Sequence, residues 1–272
     1  MTSGYSSQRV LHIEPASVYN QLHRDLSQIN YNRHIMAIYL PELDPLSTDF
    51  PSPDTALADP NGLLAFGGDL SPERLISAYR QGIFPWFTDG EPLLWWSPAP
   101  RAVFIPNLFR PSKSLKKFFR KSGYRVTINH ACHQVIRLCA STRGPDQTWI
   151  TNDMIQAYQQ LHDLGYCHSV EVWQNEKLVG GLYGIGMGHI FCGESMFSIA
   201  DNASKIALWF FCRHFHCHGG QLIDCQVMND HLASLGAAEI ERPVFRDFLT
   251  GHRDAILKQG CFDPQQLVEP IE

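Results

Sequence analysis

The sequence predicts an α+β protein in which helices and strands are mixed along the chain. From residue 124 onward, short apolar runs typical of strands alternate with longer segments that carry helix start and stop signals. Two of the runs, 168–173 and 177–185, flank Gln174-Asn175-Glu176 and predict a β-hairpin. A length of 272 residues leaves room for one large domain or two smaller ones.

Composition and charge exclude several classes of protein. The net charge of −5 argues against a protein that coats nucleic acid with its whole surface, although a local basic patch remains compatible with it. There is no apolar run of about 18 residues and no secretory pattern at the N-terminus, so we expect no membrane span and no export. The eight cysteines, many in apolar segments, are typical of reduced thiols.

The first 46 or so residues are polar and weakly patterned, apart from a candidate helix at 17–29. We therefore treat 1–37 as an accessory extension. A helix is then predicted from Ser71, its N-cap, to a stop at Gly82.

Two predicted loops that follow, 83–87 and 93–98, are aromatic where loops are usually polar. Their rings suit either packing into the core or a wall on which a ligand stacks. The sequence leaves both the core and the ligand-wall interpretations open.

An amphipathic helix is predicted from Ser112 to Lys121, with one apolar stripe and an otherwise cationic surface. No acidic residue intervenes between Arg110 and Arg125. Such a face is either simply solvated or a contact for a phosphate backbone. The cations that carry the prediction are Lys113, Lys116, Lys117, Arg120 and Lys121.

The remaining elements lead to a short apolar strand at 222–227 that carries Asp224 and Gln226. Because side chains alternate along a strand, these two are expected on the same side of it. A buried carboxylate needs a partner or a function, so the pair is either structural or part of a site. Before it we predict strands at 124–129 and 189–194 and helices at 130–140, 152–164 and 202–217.

Other motifs narrow the chemistry. His214 and His218 share a helix face, but no second ligand cluster is spaced to close a metal site, and we predict no metal. No dinucleotide, Walker or nucleophile-elbow motif occurs, so we expect no cofactor and no protein nucleophile. Glu194 lies between small residues and is either a solvated loop acid or a group that receives a cation.

Five segments in order resemble the bacterial leucyl/phenylalanyl-tRNA–protein transferases, and the likeness covers about residues 50–249. It implies a small N-terminal domain, 38–99, a GNAT-like acyltransferase domain with a mixed sheet flanked by helices, 100–255, and a C-terminal tail, 256–272. The segments are 61–70, 82–87, 95–98, 193–198 and 222–227.

The resemblance implies a cytoplasmic aminoacyltransferase. It would move Leu or Phe, and Met less readily, from aminoacyl-tRNA to an N-terminal Lys or Arg of a protein. The new peptide bond would mark that protein for degradation by the N-end rule.

The resemblance also assigns residues. Trp86 and Trp149 would stack on the 3′-terminal adenosine. The basic helix would contact the tRNA acceptor stem, and Leu182 stands where the family often has Met. Ile223 should face away from Asp224, so either the pocket wraps the strand or the strand is irregular. The aminoacyl pocket would comprise Leu182, Gly193, Met196, Ser198, Phe211, Phe215 and Ile223.

Our mechanistic hypothesis needs no covalent intermediate, because an aminoacyl ester is already activated. Asp224 would orient Gln226, whose amide positions the attacking amine and helps to accept its proton. Glu194 would hold the cationic acceptor, with Asn229 in support and part of the proton transfer falling to a ribose hydroxyl.

Two alternatives remain at this point. One is another GNAT-like transferase that uses a different aminoacyl-tRNA reaction or acyl-CoA, although no glycine-rich pyrophosphate loop opens a helix. The other is a non-catalytic RNA-binding module, which would have no need for Asp224 and Gln226. We expect a monomer.

Overall fold

The computed structural model describes residues 8–12, 37–142 and 150–269, and there the chain forms two β-sheets. The strands are β1 Gln8–His12, β2 Ala37–Leu43, β3 Leu63–Gly67, β4 Phe84–Pro85, β5 Leu94–Trp96, β6 Arg101–Phe104, β7 Arg125–Ile128, β8 Cys167–Gln174, β9 Lys177–Met187, β10 Ile190–Ser198, β11 Leu222–Gln226, β12 Ala238–Ile240 and β13 Gln265–Leu267. The helices are α1 Pro72–Tyr79, α2 Lys113–Ser122, α3 Cys132–Ser141, α4 Asn152–Asp163, α5 Ala203–Cys217, α6 Asp230–Ser234 and α7 Arg242–His252.

The smaller sheet has the order β1-β2-β3-β5-β4. Its aromatic strands correct the sequence prediction of two loops, because Phe84 pairs with Trp96 and Pro85 with Trp95 in an antiparallel ladder. These side chains are buried, so the backbone groups beside them are paired within the sheet rather than hydrated. β1, from within the segment we treated as an extension, pairs with β2. The candidate helix at 17–29 lies outside the described residues.

The larger sheet has the order β12-β6-β11-β10-β9-β8-β7-β13. β10 and β11 pair in parallel, and the other neighbours are antiparallel, so the sheet is mixed as predicted. β13 comes from the predicted tail and pairs with β7. The central strands are almost completely buried, because helices cover both faces of the sheet.

Two apolar cores lie on opposite faces of this sheet. Tyr183 of β9 belongs to the core that α3, α4 and the smaller sheet share. Its neighbour Leu182 belongs to the core formed with α5, because successive side chains of a strand point to opposite faces. The predicted helices at 71–82, 112–121, 130–140, 152–164 and 202–217 are all confirmed, with ends that shift by at most three residues.

None of the helices in the described ranges is both long and apolar enough to cross a membrane.

Candidate active site

β11 is irregular where it carries the predicted acid and amide. The register with β6 shifts between Asp224 and Gln226, and Gln226 has a φ of 61°, in a region that residues other than glycine rarely adopt. The Asp224 Oδ1 atom accepts the backbone N–H of Gln226 at 2.9 Å, which stabilises the turned backbone. The irregularity lies after Ile223, which packs on the α5 side and faces away from Asp224 as strand alternation requires.

A buried ion pair holds Asp224. Arg101 donates Nε–H to Oδ1 and Nη2–H to Oδ2, each at 2.8 Å, and both side chains are at most 2% exposed. Arg101 also donates to the Gly82 carbonyl at 3.0 Å and lies between the rings of Phe84 and Phe245. Burial alone lowers the pKa of Arg101, but the Asp224 charge outweighs it and raises that pKa above its ordinary value. The two hydrogen bonds from Arg101 therefore fix the orientation of the Asp224 carboxylate.

Glu194 lies next to this pair, at a bulge of β10 between Gly193 and Ser195. Gln226 donates its side-chain amide to Oε1 at 3.0 Å, and the Tyr158 hydroxyl donates to Oε2 at 2.9 Å. Burial raises the pKa of Glu194 to about 7, although hydrogen bonding with Tyr79 and Tyr158 lowers it. A carboxyl of this kind changes its charge near neutral pH.

Tyrosine hydroxyls extend the network. Tyr79 and Tyr158 share a hydrogen bond of 2.5 Å, and burial raises the pKa of both, so both stay protonated. The hydroxyl of Tyr183 is buried and has no hydrogen-bond partner among the described residues, and neither has that of Ser195. The ring of Tyr183 lies 5.6 Å from that of Tyr158. Unpaired buried hydroxyls near a titrating acid are typical of a site that receives a polar group.

The predicted pocket residues come together on the other face of the sheet. Phe211, Phe215, Ile223 and Leu182 are at most 5% exposed and belong to one apolar core, against which Met196 packs. The rings of Phe211 and Phe215 stack at 5.2 Å. Their assembly is compatible with both a core and a pocket for an apolar side chain.

The other predicted contacts are more exposed. Trp86 is half-buried, 5.7 Å from the ring of Trp96. Ser198 is exposed and donates to the Ala200 carbonyl. Asn229 is also exposed and caps α6, because its Oδ1 accepts the Leu232 N–H at 2.9 Å. A cap does not preclude a ligand contact through the amide nitrogen. Trp149 lies outside the described residues.

The basic helix α2 forms as predicted, with the Ser112 hydroxyl accepting the N–H of Leu115 at 3.1 Å. Lys113, Lys117 and Lys121, each four residues apart, are exposed on one face. Arg120 pairs with Glu269 at 2.9 Å. Lys116 is half-buried.

Sequence reasoning missed Arg101, Tyr79 and Tyr158. A signal for Arg101 was available, since a carboxylate inside an apolar strand requires a cation nearby. Arg101 itself opens an apolar run, 102–104. The two tyrosines had no such signal, because each lies on a helix whose apolar face explains it equally well.

Comparison with known proteins gives this site its context. A family model described as leucyl/phenylalanyl-tRNA protein transferase matches residues 103–250, and a model of the N-terminal domain of that transferase matches 68–99. A leucyl/phenylalanyl-tRNA–protein transferase from Photobacterium profundum is 70% identical over 87% of this chain and 100% of its own length. One from Vibrio vulnificus is 62% identical over 85% of this chain and 98% of its own length.

These matches, together with the acid–amide network, define the chain as an aminoacyltransferase. It belongs to the leucyl/phenylalanyl-tRNA–protein transferase family. Among solved structures, a conserved protein of unknown function from Bacteroides thetaiotaomicron matches 58% of this chain and 57% of its own, with 13% identity and a TM-score of 0.39.

Proposed function

We propose that this enzyme transfers Leu or Phe, and Met less readily, from aminoacyl-tRNA to the N-terminal Lys or Arg of proteins. The peptide bond formed would mark those proteins for N-end rule degradation. The names of the relatives support this reaction. The observation that carries it on the chain itself is the contact between Gln226 and Glu194, an amide and a titrating acid in one buried site.

Aminolysis of an ester requires an unprotonated amine. The α-ammonium group of a protein has a pKa of about 8, and Glu194, whose pKa is raised to about 7, is well matched to hold that cation and take its proton. The freed amine attacks the ester carbonyl carbon and loses its second proton as the bond to the 3′ oxygen breaks, and the departing ribose oxygen takes up that proton. The acceptor nitrogen ends as an amide.

Gln226 positions the amine in this scheme. Its amide group donates to Glu194 at 3.0 Å, so an amine held at the carboxylate is also within reach of the glutamine. Asp224 and Arg101 are positioning residues, because together they hold the backbone of Gln226. The direct contact is made by Asp224, whose Oδ1 atom accepts the backbone N–H of Gln226 at 2.9 Å. This modifies our hypothesis, because Asp224 orients Gln226 through the backbone N–H rather than through the side-chain amide.

The remaining assignments concern the donor. We assign Trp86 and Trp149 to stacking on the terminal adenosine, and the exposed lysines of α2 to the phosphates of the acceptor stem, as sequence-tolerant contacts. The apolar cluster beside α5 is assigned to the Leu or Phe side chain, and Asn229 to a supporting contact. That cluster is Leu182, Phe211, Phe215 and Ile223, with Gly193, Met196 and Ser198 at its edge.

The family resemblance also supports a GNAT-like catalytic domain, 100–255, after a small domain, 38–99, with 1–37 as an extension and 256–272 as a tail. The boundary near 100 falls between β5 and β6, which belong to different sheets. We propose that the enzyme acts in the cytoplasm as a monomer.

A transfer assay tests this function. Phe-tRNA with radiolabelled Phe is supplied with matched proteins that begin with Arg, Lys or Ala, and label is counted on protein. We expect label with Arg and Lys only. An acyl-CoA transferase would instead label protein from acyl-CoA, and a sequestering RNA-binding module would bind Phe-tRNA without transfer. Either result overturns the proposal.

A further inference from the structure

The C-terminal end of α5 meets the segment after α7 at a cluster of three metal-ligating side chains. His214 lies in the last turn of α5 and His218 caps the C-terminal end of that helix, with ring centroids 4.2 Å apart. Cys261 reaches them from a distant part of the sequence, and this residue is only 3% exposed. One ligand atom from each of the three residues lies within 4.8 Å of the others. The sequence alone placed the two histidines on one face but offered no third ligand.

Hydrogen bonds fix which nitrogen of each imidazole is protonated. His214 Nε2 lies 2.7 Å from the Cys261 carbonyl oxygen, and His218 Nδ1 lies 2.8 Å from the His214 carbonyl oxygen. A carbonyl oxygen only accepts hydrogen bonds, so His214 Nε2 and His218 Nδ1 are the nitrogens that donate. The second nitrogen of each ring, His214 Nδ1 and His218 Nε2, carries a lone pair. Within the described ranges neither lone pair receives a hydrogen bond. Metal-binding histidines in proteins have this arrangement, with the second nitrogen donating to a carbonyl.

The segment that carries Cys261 is anchored to α5 and the sheet. The Lys258 backbone N–H donates to the His218 carbonyl at 2.9 Å, and its ammonium donates to the Cys217 carbonyl at 2.8 Å. Phe262 stacks on His168 with ring centroids 3.6 Å apart. The three ligand side chains are therefore held together before any ion binds, which reduces the ordering cost of binding.

We propose that His214, His218 and Cys261 bind a divalent transition-metal ion of the Zn²⁺ class, with water as the fourth ligand. Two imidazoles and one thiolate are a donor set that such ions prefer. On binding, the Cys261 thiol loses its proton to solvent, a sulfur–metal bond forms, and the metal releases water in exchange for the three protein ligands. The ion would tie the 258–262 segment to α5. Through Phe262, which packs 6.2 Å from the ring of Phe215, it would stabilise the apolar core on that face.

A Co²⁺ titration of the chelator-treated full chain, kept reduced, tests this site. We expect a thiolate-to-cobalt charge-transfer band and strong visible bands of tetrahedral type, both saturating at one equivalent and both abolished by Zn²⁺. Cys261→Ser should abolish the charge-transfer band. His214→Ala and His218→Ala should each weaken Co²⁺ binding by more than about 100-fold, since even the loss of an outer-shell partner costs 10–100-fold.

Cys217→Ser and His216→Ala are the matched controls, because both residues lie at the same helix end but outside the cluster. Both variants should bind Co²⁺ as the parent protein does. Circular dichroism checks the fold of each variant, and if Cys261→Ser does not fold, His218→Gln with an intact thiol decides by its affinity. The proposal is overturned if no saturable binding occurs at one equivalent, if the charge-transfer band survives in folded Cys261→Ser, or if the histidine variants bind as tightly as the parent.

Discussion

Arg101 of β6 and Asp224 of β11 form a bidentate ion pair, and Arg101 also connects the larger sheet to the segment before β4 of the smaller sheet. The guanidinium reaches both carboxylate oxygens at 2.8 Å and also donates to the Gly82 carbonyl, which lies just before β4 of the smaller sheet. One end of the pair therefore contacts the segment that carries Trp86, and the other holds the backbone of Gln226. The proposed donor contact and the proposed reaction centre are mechanically connected through these two residues.

Breaking this pair should destabilise the fold. Arg101→Ala leaves Asp224 as an unpaired buried charge, and we expect a loss of about 3–5 kcal/mol in the free energy of unfolding. Denaturant unfolding measures it. The exposed pair Arg125–Glu176 is the matched control, and Arg125→Ala should cost no more than about 1 kcal/mol. Equal losses in the two variants would contradict the structural role of Arg101.

The ionisation of Glu194 should make kcat/KM fall at acidic pH. If the ionised carboxylate holds and deprotonates the acceptor, kcat/KM for the acceptor rises with pH through about 7, the pKa to which burial raises this group. The acceptor is bound as its ammonium form, so kcat/KM should decline again as the free α-amine loses its proton at about pH 8. Glu194→Gln should lower kcat/KM and replace the limb at about 7 with a rise at about 8, because this variant uses only amine that is already unprotonated. A variant with the limb at 7 intact would rule out this role.

The same group should make stability depend on pH. The folded-state pKa of Glu194 is about 7 and exceeds the ordinary value of 4.5, so between these values the folded protein binds more protons than the unfolded chain. The contribution of Glu194 is therefore greatest at low pH and declines as pH rises from about 4.5 to about 7. In Glu194→Gln this component is absent. The free energies of unfolding of both proteins at pH 5 and pH 8 measure this component. An equal change in unfolding free energy with pH in the two proteins would contradict the prediction.

Gln226→Glu should reduce kcat strongly while the protein stays folded. The substitution keeps the size of the side chain but replaces the donating amide with a second acid beside Glu194, and we expect kcat to fall by about 100-fold or more. Single-turnover transfer from Phe-tRNA measures the chemical step. Gln221→Glu, at an exposed position just before the same strand, is the control and should retain full activity.

Removing exposed cations from α2 should weaken tRNA binding in a salt-dependent way. Each phosphate that a lysine no longer neutralises should reduce the slope of log K against log salt by about 0.7–0.9. For the double variant Lys117→Gln, Lys121→Gln we expect a slope smaller by about 1.5 and an unchanged kcat at saturating tRNA. Filter binding at several salt concentrations measures the slope. Arg125→Gln, whose side chain pairs with Glu176, is the control.

The helices were the most predictable part of this fold. Ser71 before Pro72, and Ser112 before the basic stripe, mark helix starts that depend on local chemistry alone. The aromatic segments 83–87 and 93–98 were not predictable as strands, because each is short and its pairing partners, each other and β3, are set only by the fold. Strand pairing is a tertiary contact, so composition gives little warning of it.

Residue type and order were enough to indicate the family, the acid and amide of the candidate site, the basic helix and the members of the apolar cluster beside α5. Which groups meet became visible only in the folded chain. Arg101 contacts Asp224 across 123 positions of the chain, Tyr158 contacts Glu194 of β10 from α4, and Cys261 joins the two histidines at the C-terminal end of α5. The physical reason is that a buried charge or ligand set is completed by whatever the fold brings near it, and sequence separation does not limit that choice.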